Sequence, residues 1–168
     1  MDGARQAARH SHMSSPSRPA ILFVCLGNIC RSPLAEAAFR QAALKAGLDV
    51  EVESAGTGAW HVGKPPDRRA QATAMRKGVD ISQYSGRQVE PGDFRHFTHI
   101  FALDEANFAD LKAIAPANAR AELSLLLDLI EGRAGESVSD PYYGGDEGFE
   151  QTWADVSAAA QALVRRLS

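Results

Sequence analysis

Short apolar runs alternate along the chain with segments in which apolar residues recur at helical spacing. Residues 21–24 are apolar throughout and rich in β-branched and aromatic side chains, which predicts a strand buried on both faces. Further strands are predicted over residues 50–53, 98–103 and 123–127, although the run 121–130 would also suit a helix. Helices are predicted over residues 34–46, 67–77, 104–114 and 147–166, bounded by Gly47, Gly78, Asp104 and Pro116.

Strands that alternate with helices are typical of βαβ units. We therefore predict an α/β fold: a single domain over residues 19–168, with an open four-stranded parallel sheet and helices on both faces, flavodoxin-like or Rossmann-like. Residues 1–18 hold Ser, Ala, Arg and His without apolar periodicity, so we expect a disordered extension in which residues 10–13 resemble a tag remnant. Ligands of such sheets bind beyond the carboxyl ends of the strands, which directs attention to the segment after the first strand.

Composition and charge exclude several classes of protein. The chain has 168 residues, a net charge of −3 and 45% hydrophobic residues, which suits a globular domain and argues against nucleic acid or an anionic membrane as the partner. No apolar stretch approaches the roughly 20 residues that span a bilayer, and no signal-peptide pattern opens the chain. The two cysteines, Cys25 and Cys30, lie in one segment and form no disulfide framework. We therefore expect a cytoplasmic protein.

Residues 25–33, which follow the first strand, have the composition of an anion-binding loop. Ser32 and Pro33 predict a helix start, with the Ser32 hydroxyl as N-cap and Pro33 at a position that needs no N–H. A loop between a strand end and a helix N-terminus turns its backbone N–H groups inward, toward an anion. Gly27 and Asn28 tolerate the positive φ angles that so tight a loop requires.

Cys25 and Arg31 add a reaction to this loop. A cysteine beside a helix N-terminus and a cation reacts as a thiolate, and a guanidinium matches two oxygens of a phosphate. We therefore predict that the Cys25 thiolate attacks a bound phosphoryl group, whose charge is held by backbone N–H groups and Arg31. The alternative is a small buried cysteine and a surface arginine. The strand before them and the helix start after them favour the catalytic interpretation.

Cleavage of a phosphate ester also needs a proton for the departing oxygen. Asp140, in a polar loop before Pro141, is the best candidate, and it would later take a proton from the attacking water. By spacing alone, Asp140 could equally be a turn residue that precedes a proline. Trp60, Tyr142 and Tyr143 lie in predicted loops, where bulky aromatics are unusual unless they pack or bind.

At residues 25–33, CLGNICRSP, the sequence resembles the signature of the low-molecular-weight protein tyrosine phosphatases. The resemblance continues at residues 54–57, 60–63 and 140–144, and covers the chain from about residue 19 onward. It implies that Cys25, Arg31 and Asp140 are catalytic and that the cleft is walled by the aromatic side chains. The substrate-binding residues that it implies are Leu26, Gly27, Asn28, Ile29, Cys30, Ser32, Trp60, Tyr142 and Tyr143. Ser54 is implied as the partner of Asn28, and the Ser32 hydroxyl, besides its capping role, is implied as a donor to the Cys25 thiolate.

The resemblance also implies a substrate and partners. Phosphotyrosine proteins and small aryl phosphates are the expected substrates, phosphate and vanadate the expected inhibitors, and a monomer or weak dimer the expected state, without metal or cofactor. Relatives that act on phosphoarginine tend to carry threonine where this chain has Ile29, so phosphotyrosine is favoured. A thiol arsenate reductase would need cysteines beyond Cys30, and a phosphate-reading module without turnover would lack a catalytic group. Cys30 is either the partner of Cys25 in a reversible disulfide or a buried small residue.

Overall fold

The architecture was determined from a computed structural model, which describes residues 18–168. The strands are β1 (Ala20–Cys25), β2 (Glu51–Gly56), β3 (His99–Ala102) and β4 (Glu122–Leu125). The helices are α1 (Arg31–Ala46), α2 (Arg68–Arg76), α3 (Asp93–His96), α4 (Glu105–Ile114) and α5 (Asp146–Leu167), with a 3₁₀ turn at Leu126–Leu129. All strand pairs are parallel, in the order β2-β1-β3-β4. The predicted four-stranded α/β fold is confirmed.

The sheet separates two apolar clusters, which explains why β1 is apolar throughout. Ile21 and Phe23 belong to the larger cluster, with residues of α1 and α5, and Leu22 and Val24 belong to the smaller one. Since successive strand residues point to opposite faces, a strand with helices on both sides must be apolar at every position. The whole of β1 is buried, as expected for a strand between two neighbours.

The ends of the elements follow local signals more closely on helices than on strands. Gly47 and Gly78 take left-handed φ angles of 69° and 90° just beyond α1 and α2, as predicted. The Asp104 carboxylate accepts a hydrogen bond from the Asn107 N–H and caps α4. By contrast, strands β2 and β4 end at other residues than predicted. β2 continues beyond residue 53 to Gly56, because it pairs with β1 as far as Cys25, and β4 ends at Leu125 rather than at residue 127, because the 3₁₀ turn follows directly.

The amino-terminal prediction falls almost entirely outside the described residues. Residues 1–17 of the expected extension are not described, and Arg18 donates from Nε to the Asp49 carboxylate at 3.0 Å. Within residues 18–168, no helix is both long and apolar enough to cross a membrane.

Candidate active site

The predicted site residues come together at the carboxyl edge of the sheet. The chain leaves the central strand β1 between β2 and β3, which is the position where open parallel sheets bind ligands. A cleft of about 300 Å³ opens there between three loops, and its volume is in the range of small-molecule sites. Its lining comprises Cys25, Leu26, Gly27, Ile29, Cys30, Arg31, Trp60, His61, Asp140, Tyr142 and Tyr143. Asn28 and Ser32 are buried and do not line the cleft, and His61 is a lining residue that the sequence interpretation missed.

The loop after β1 offers backbone donors that the protein leaves unused. Among residues 18–168, the N–H groups of residues 26–30 donate to no protein acceptor, although helix α1 begins directly after them at Arg31. The Ser32 N–H, in the first turn of α1, points to the Cys25 sulfur at 3.4 Å. Unpaired N–H groups together with the positive end of a helix dipole form an anion site, as the sequence predicts. We refer to residues 25–31 as the anion loop.

Ser32 is not the helix N-cap, so this prediction is wrong. The helix begins two residues earlier than a cap at Ser32 predicts, at Arg31, with Cys30 as the N-cap residue and no side-chain capping bond. Ser32 therefore lies inside the first turn, and its Oγ is 3.0 Å from the Cys25 sulfur. Pro33 occupies the third helical position, where an N–H would still have no intrahelical acceptor.

Asn28 supports the anion loop from behind. It has a φ of 58°, as predicted, and is the sole non-glycine residue with a positive φ among the described residues. Its Nδ2 donates to Ser32 Oγ at 2.8 Å and to Ser54 Oγ at 3.1 Å, and its Oδ1 accepts from the Arg87 N–H at 3.0 Å. The expected contact with Ser54 is present. Asn28 thus links Ser32, whose hydroxyl contacts the Cys25 sulfur, to Ser54 of β2.

Gly27 does not take the positive φ that was predicted for it. A Cβ at this position would lie 3.1 Å from His61 Cδ2, so the glycine makes room for the neighbouring loop. Gly56, which the sequence interpretation did not single out, has a stricter role. A Cβ on Gly56 would lie 2.8 Å from the Leu26 carbonyl oxygen and 3.2 Å from the Asn28 backbone, so the end of β2 must be a glycine for the anion loop to pack on it.

The hydrogen bonds behind the anion loop end at a buried carboxyl group. Ser54 Oγ donates to Glu36 Oε1 at 2.7 Å, and Arg40 Nε donates to Glu36 Oε2 at 2.9 Å. Burial raises the pKa of Glu36, although Arg40 and Ser54 act in the opposite direction. The sequence contains no local signal for this contact, since Glu36 reads as one polar position of an amphipathic helix.

Arg31 is buried and held by acceptors on two sides. Its Nη1 donates to Asp104 Oδ2 at 2.7 Å and to the Val138 carbonyl at 3.0 Å, and its Nη2 is 3.6 Å from Asp140 Oδ2. Burial works to lower the pKa of Arg31, but the negative charges of Cys25, Asp104 and Asp140 outweigh it and raise that pKa. Asp104 was predicted only as a helix cap. Its position after β3, next to β1, is the signal that could have revealed its second role.

Asp140 has both features that the sequence left open as alternatives: it forms a turn before Pro141, and its carboxyl group lies at the cleft. Its Oδ1 accepts a hydrogen bond from the Tyr142 N–H at 3.1 Å, which is the turn geometry expected of an aspartate in such a loop. Its Oδ2 lies at the cleft, beside Arg31. The carboxyl group is exposed, as a group that exchanges protons with water must be.

The rim of the cleft is aromatic. Trp60 is 67% exposed and Tyr143 is 92% exposed, and the rings of Tyr142 and Tyr143 meet edge to face with centroids 4.9 Å apart. Leu26 is also exposed. Such exposed apolar groups around a cleft mark a surface that binds a partner.

Cys30 is largely buried and lines the cleft together with Cys25. Both cysteines are free thiols, and burial together with the nearby charge of Asp67 raises the pKa of the Cys30 thiol far above its ordinary value. Cys30 is thus a buried small residue, one of the two alternatives that the sequence left open, and the other, a reversible disulfide with Cys25, stays a prediction. Residues 18–168 contain no group of three His, Cys, Asp or Glu side chains that could hold a metal ion.

Known proteins are similar to this chain in sequence and in fold. Residues 20–168 match the family model described as low molecular weight phosphotyrosine protein phosphatase. A protein of that name from Schizosaccharomyces pombe is 38% identical over 151 residues, 88% of this chain and 96% of the relative. The crystal structure of YfkJ from Bacillus subtilis has a TM-score of 0.82 and 37% identity, over 89% of this chain and 94% of that one. A structure of a Drosophila arginine phosphatase has a TM-score of 0.82 and 32% identity, over 87% and 96% of the two chains.

Proposed function

The chain belongs to the low molecular weight phosphotyrosine protein phosphatase family, and from this premise we propose that it hydrolyses phosphotyrosine in proteins through a cysteinyl-phosphate intermediate. The observation that carries the proposal is the convergence at one cleft of a cysteine, a buried arginine and an exposed carboxyl group. Unpaired backbone N–H groups surround them. We assign this activity to a domain formed by residues 19–168, with residues 1–18 as an extension.

In the first step, the phosphate lies in the anion loop with its oxygens on the N–H groups of residues 26–30 and on Arg31. The Cys25 thiolate attacks phosphorus, so that an S–P bond forms and the P–O bond to tyrosine breaks. Asp140 gives its proton to the departing phenolic oxygen. The N–H groups and the guanidinium hold the charge of the transferring group, without any reorganisation of the loop during the reaction.

In the second step, Asp140 takes a proton from water while the water oxygen attacks the phosphocysteine. The S–P bond breaks, inorganic phosphate leaves, and the sulfur regains its negative charge. The Ser32 hydroxyl, 3.0 Å from that sulfur, donates to it and makes it a better leaving group. The cycle needs an ionised Cys25 and a protonated Asp140 at its start, so we expect kcat/KM to follow a bell-shaped function of pH.

The rim of the cleft supports an aryl substrate. Trp60, Tyr142 and Tyr143 present apolar faces to a flat ring that stands over the anion loop, and Leu26 and Ile29 extend the apolar wall. One relative is named an arginine phosphatase, which makes phosphoarginine the competing substrate. We propose phosphotyrosine because Ile29 lines the cleft where relatives acting on phosphoarginine tend to carry threonine.

The proposed partners follow from the same chemistry. Phosphotyrosine proteins bind as substrates, and phosphate or vanadate occupies the anion loop as an inhibitor. The two free thiols suit a reducing compartment, and we propose the cytoplasm. The aromatic rim permits a weak dimer besides the monomer.

Hydrolysis of p-nitrophenyl phosphate, of a phosphotyrosine peptide and of a phosphoarginine peptide tests the proposal. We expect turnover of the first two and little of the third. Cys25→Ser should abolish turnover, and Asp140→Ala should lower it by about 10²- to 10⁴-fold on the peptide. Asp146→Asn, which removes a carboxylate outside the cleft, is the matched control and should behave like the wild type. Activity that persists in Cys25→Ser would overturn the proposal.

A further inference from the structure

The residues that carry Asp140 form a loop with few attachments to the rest of the protein. We refer to residues 139–145 as the Asp140 loop. Val138, just before it, is held by the Leu103 carbonyl and by Arg31. Within the loop, the Gly144 N–H donates to the Pro141 carbonyl, a bond that shapes a turn but attaches it to nothing else. At the far end of the loop the Gly145 carbonyl accepts a hydrogen bond from the Gly148 N–H of α5, and the Asp140 side chain lies 3.6 Å from Arg31 Nη2, so the backbone between these ends, residues 139–144, depends on another group for its attachment.

Arg69, at the start of α2, supplies that attachment. Its Nη2 donates to the Tyr142 carbonyl at 2.9 Å and its Nη1 donates to the Gly144 carbonyl at 3.2 Å. Among residues 18–168, these are the only hydrogen bonds that join the backbone of residues 139–144 to a side chain or backbone beyond the loop. The guanidinium carbon also lies 5.6 Å from the Tyr142 ring centroid and 4.7 Å from that of Phe149, within cation–π range of both.

The other side of the guanidinium is tied to the anion loop. Arg69 Nε and Nη2 each lie 3.1 Å from an oxygen of the Asp67 carboxylate, so the pair is bidentate. The Asp67 N–H in turn donates to the Ile29 carbonyl at 2.8 Å. Two residues of one helix start thus connect the loop that holds the nucleophile with the loop that holds the acid. A lysine could not reproduce this, because its single ammonium lacks the planar fork.

We propose that Arg69 is a positioning residue that fixes the Asp140 loop at the height over Cys25 at which the carboxyl group protonates the leaving oxygen. The proposal rests on the proposed phosphatase activity. Arg69 does not line the cleft and touches no reacting atom. Its removal leaves the anion loop and Cys25 intact and changes the position of the acid. The loss of kcat/KM on removal of Arg69 therefore depends on how much the leaving group of the substrate needs a proton.

This dependence provides a measurement that a general loss of structure would not mimic. Phenolate is a poor leaving group and needs the acid, whereas p-nitrophenolate departs with little help. We define the selectivity ratio as kcat/KM for p-nitrophenyl phosphate divided by kcat/KM for phenyl phosphate. A displaced acid raises this ratio, while a smaller fraction of folded enzyme lowers both rates equally. Misplacement by about 1 Å costs roughly 100-fold in rate, so a rise of about tenfold or more is expected for Arg69→Gln.

Arg68→Gln is the matched control. Arg68 is the neighbouring residue, it is exposed, and its side chain has no hydrogen bond or ion pair within residues 18–168. Its ratio should equal that of the wild type. In the Asp140→Ala background, where there is no acid to position, Arg69→Gln should cause no further change in the ratio. If Arg69→Gln does not fold, Arg69→Lys replaces it under the same criteria, because it retains the charge and loses the fork.

The outcomes separate this inference from the function on which it rests. A ratio that rises by at least about fivefold in Arg69→Gln, but not in Arg68→Gln or in the Asp140→Ala background, supports the positioning role. A smaller change in Arg69→Gln, or an equal rise in Arg68→Gln, overturns it. If the wild type hydrolyses neither substrate, or if Asp140→Ala leaves the ratio unchanged, it is the proposed function or its acid that fails.

Discussion

The hydrogen bond between Ser32 and the Cys25 sulfur makes a quantitative prediction about the second half of the reaction. Ser32→Ala removes a single donor, the hydroxyl 3.0 Å from the sulfur. The Ser32 N–H at 3.4 Å remains, and Asn28 keeps Ser54 as an acceptor at 3.1 Å. The variant also removes one of the two acceptors of Asn28 Nδ2, at 2.8 Å, and the contact of the hydroxyl with the Ala55 carbonyl at 3.4 Å, so a second variant that disturbs Asn28 alone is needed beside it.

The expected magnitude follows from the charge on the sulfur. A hydrogen bond to a charged group contributes about 1.5–3 kcal/mol, and each 1.4 kcal/mol is about tenfold in rate. Sulfur loses its charge in the first step and regains it in the second, so the lost donor raises the barrier of the second step. We expect kcat to fall by roughly 10- to 150-fold, while kcat/KM, which reports the first step, falls much less.

Stopped-flow measurement of p-nitrophenol release provides the assay. When breakdown of the phosphocysteine becomes slow, the first turnover should appear as a burst of one product molecule per enzyme. Ser54→Ala is the graded control, because it removes a partner of Asn28 one bond further from the sulfur. Its burst should be smaller. The reasoning is refuted if kcat and kcat/KM of Ser32→Ala fall by the same factor and no burst appears.

Three further predictions concern packing, pH and metal. Gly56→Ala should destabilise the protein by about 1–3 kcal/mol and lower kcat, because its Cβ meets the Leu26 carbonyl oxygen. Gly92→Ala is the control, since its Cβ would meet nothing closer than 3.7 Å, and it should change neither the free energy of unfolding in urea nor kcat. Burial raises the pKa of Glu36, so the stabilising contribution of this group is complete below about pH 4.5 and is lost as the pH rises through the folded-state pKa. Over that rise, the free energy of unfolding of the wild type should fall relative to that of Glu36→Gln. A difference between the two proteins that does not depend on pH would contradict this. Activity should survive dialysis against a chelator, and restoration of lost activity by a divalent metal would disprove the metal-free mechanism.

The parts of the molecule that were predicted correctly are those with local causes. The apolar run of β1 indicates burial on both faces, and the glycines at positions 47 and 78 end helices because they accept left-handed φ angles. Asn28 has a positive φ for a similar reason. The strand before Cys25 and the helix start after Arg31 indicated a site in this segment, and both residues lie at the cleft.

Other features depended on contacts between distant segments. The Ser32 hydroxyl was predicted both to cap a helix and to donate to the Cys25 thiolate, but the N-cap lies two residues earlier, at Cys30, and only the contact with the sulfur is present. Glu36 and Asp104 have no motif around them that indicates a role at the site, and the resemblance over residues 54–57 does not by itself indicate that a Cβ on Gly56 would meet the Leu26 carbonyl oxygen. Each acquires its role because strands β1, β2 and β3 end side by side, which places their following residues in contact.

The sequence by itself determined the alternation of strands and helices and the cysteine and arginine of the anion loop, because each depends on a few neighbouring residues, whereas the spacing around the aspartate before Pro141 left a turn and an acid equally open. Only the tertiary structure decided how the acid reaches the nucleophile. Asp140 and Cys25 are far apart in the chain, and they meet because Arg31 and Arg69 attach the Asp140 loop from two sides. Such attachments follow from the packing of the sheet and helices, which no local pattern specifies.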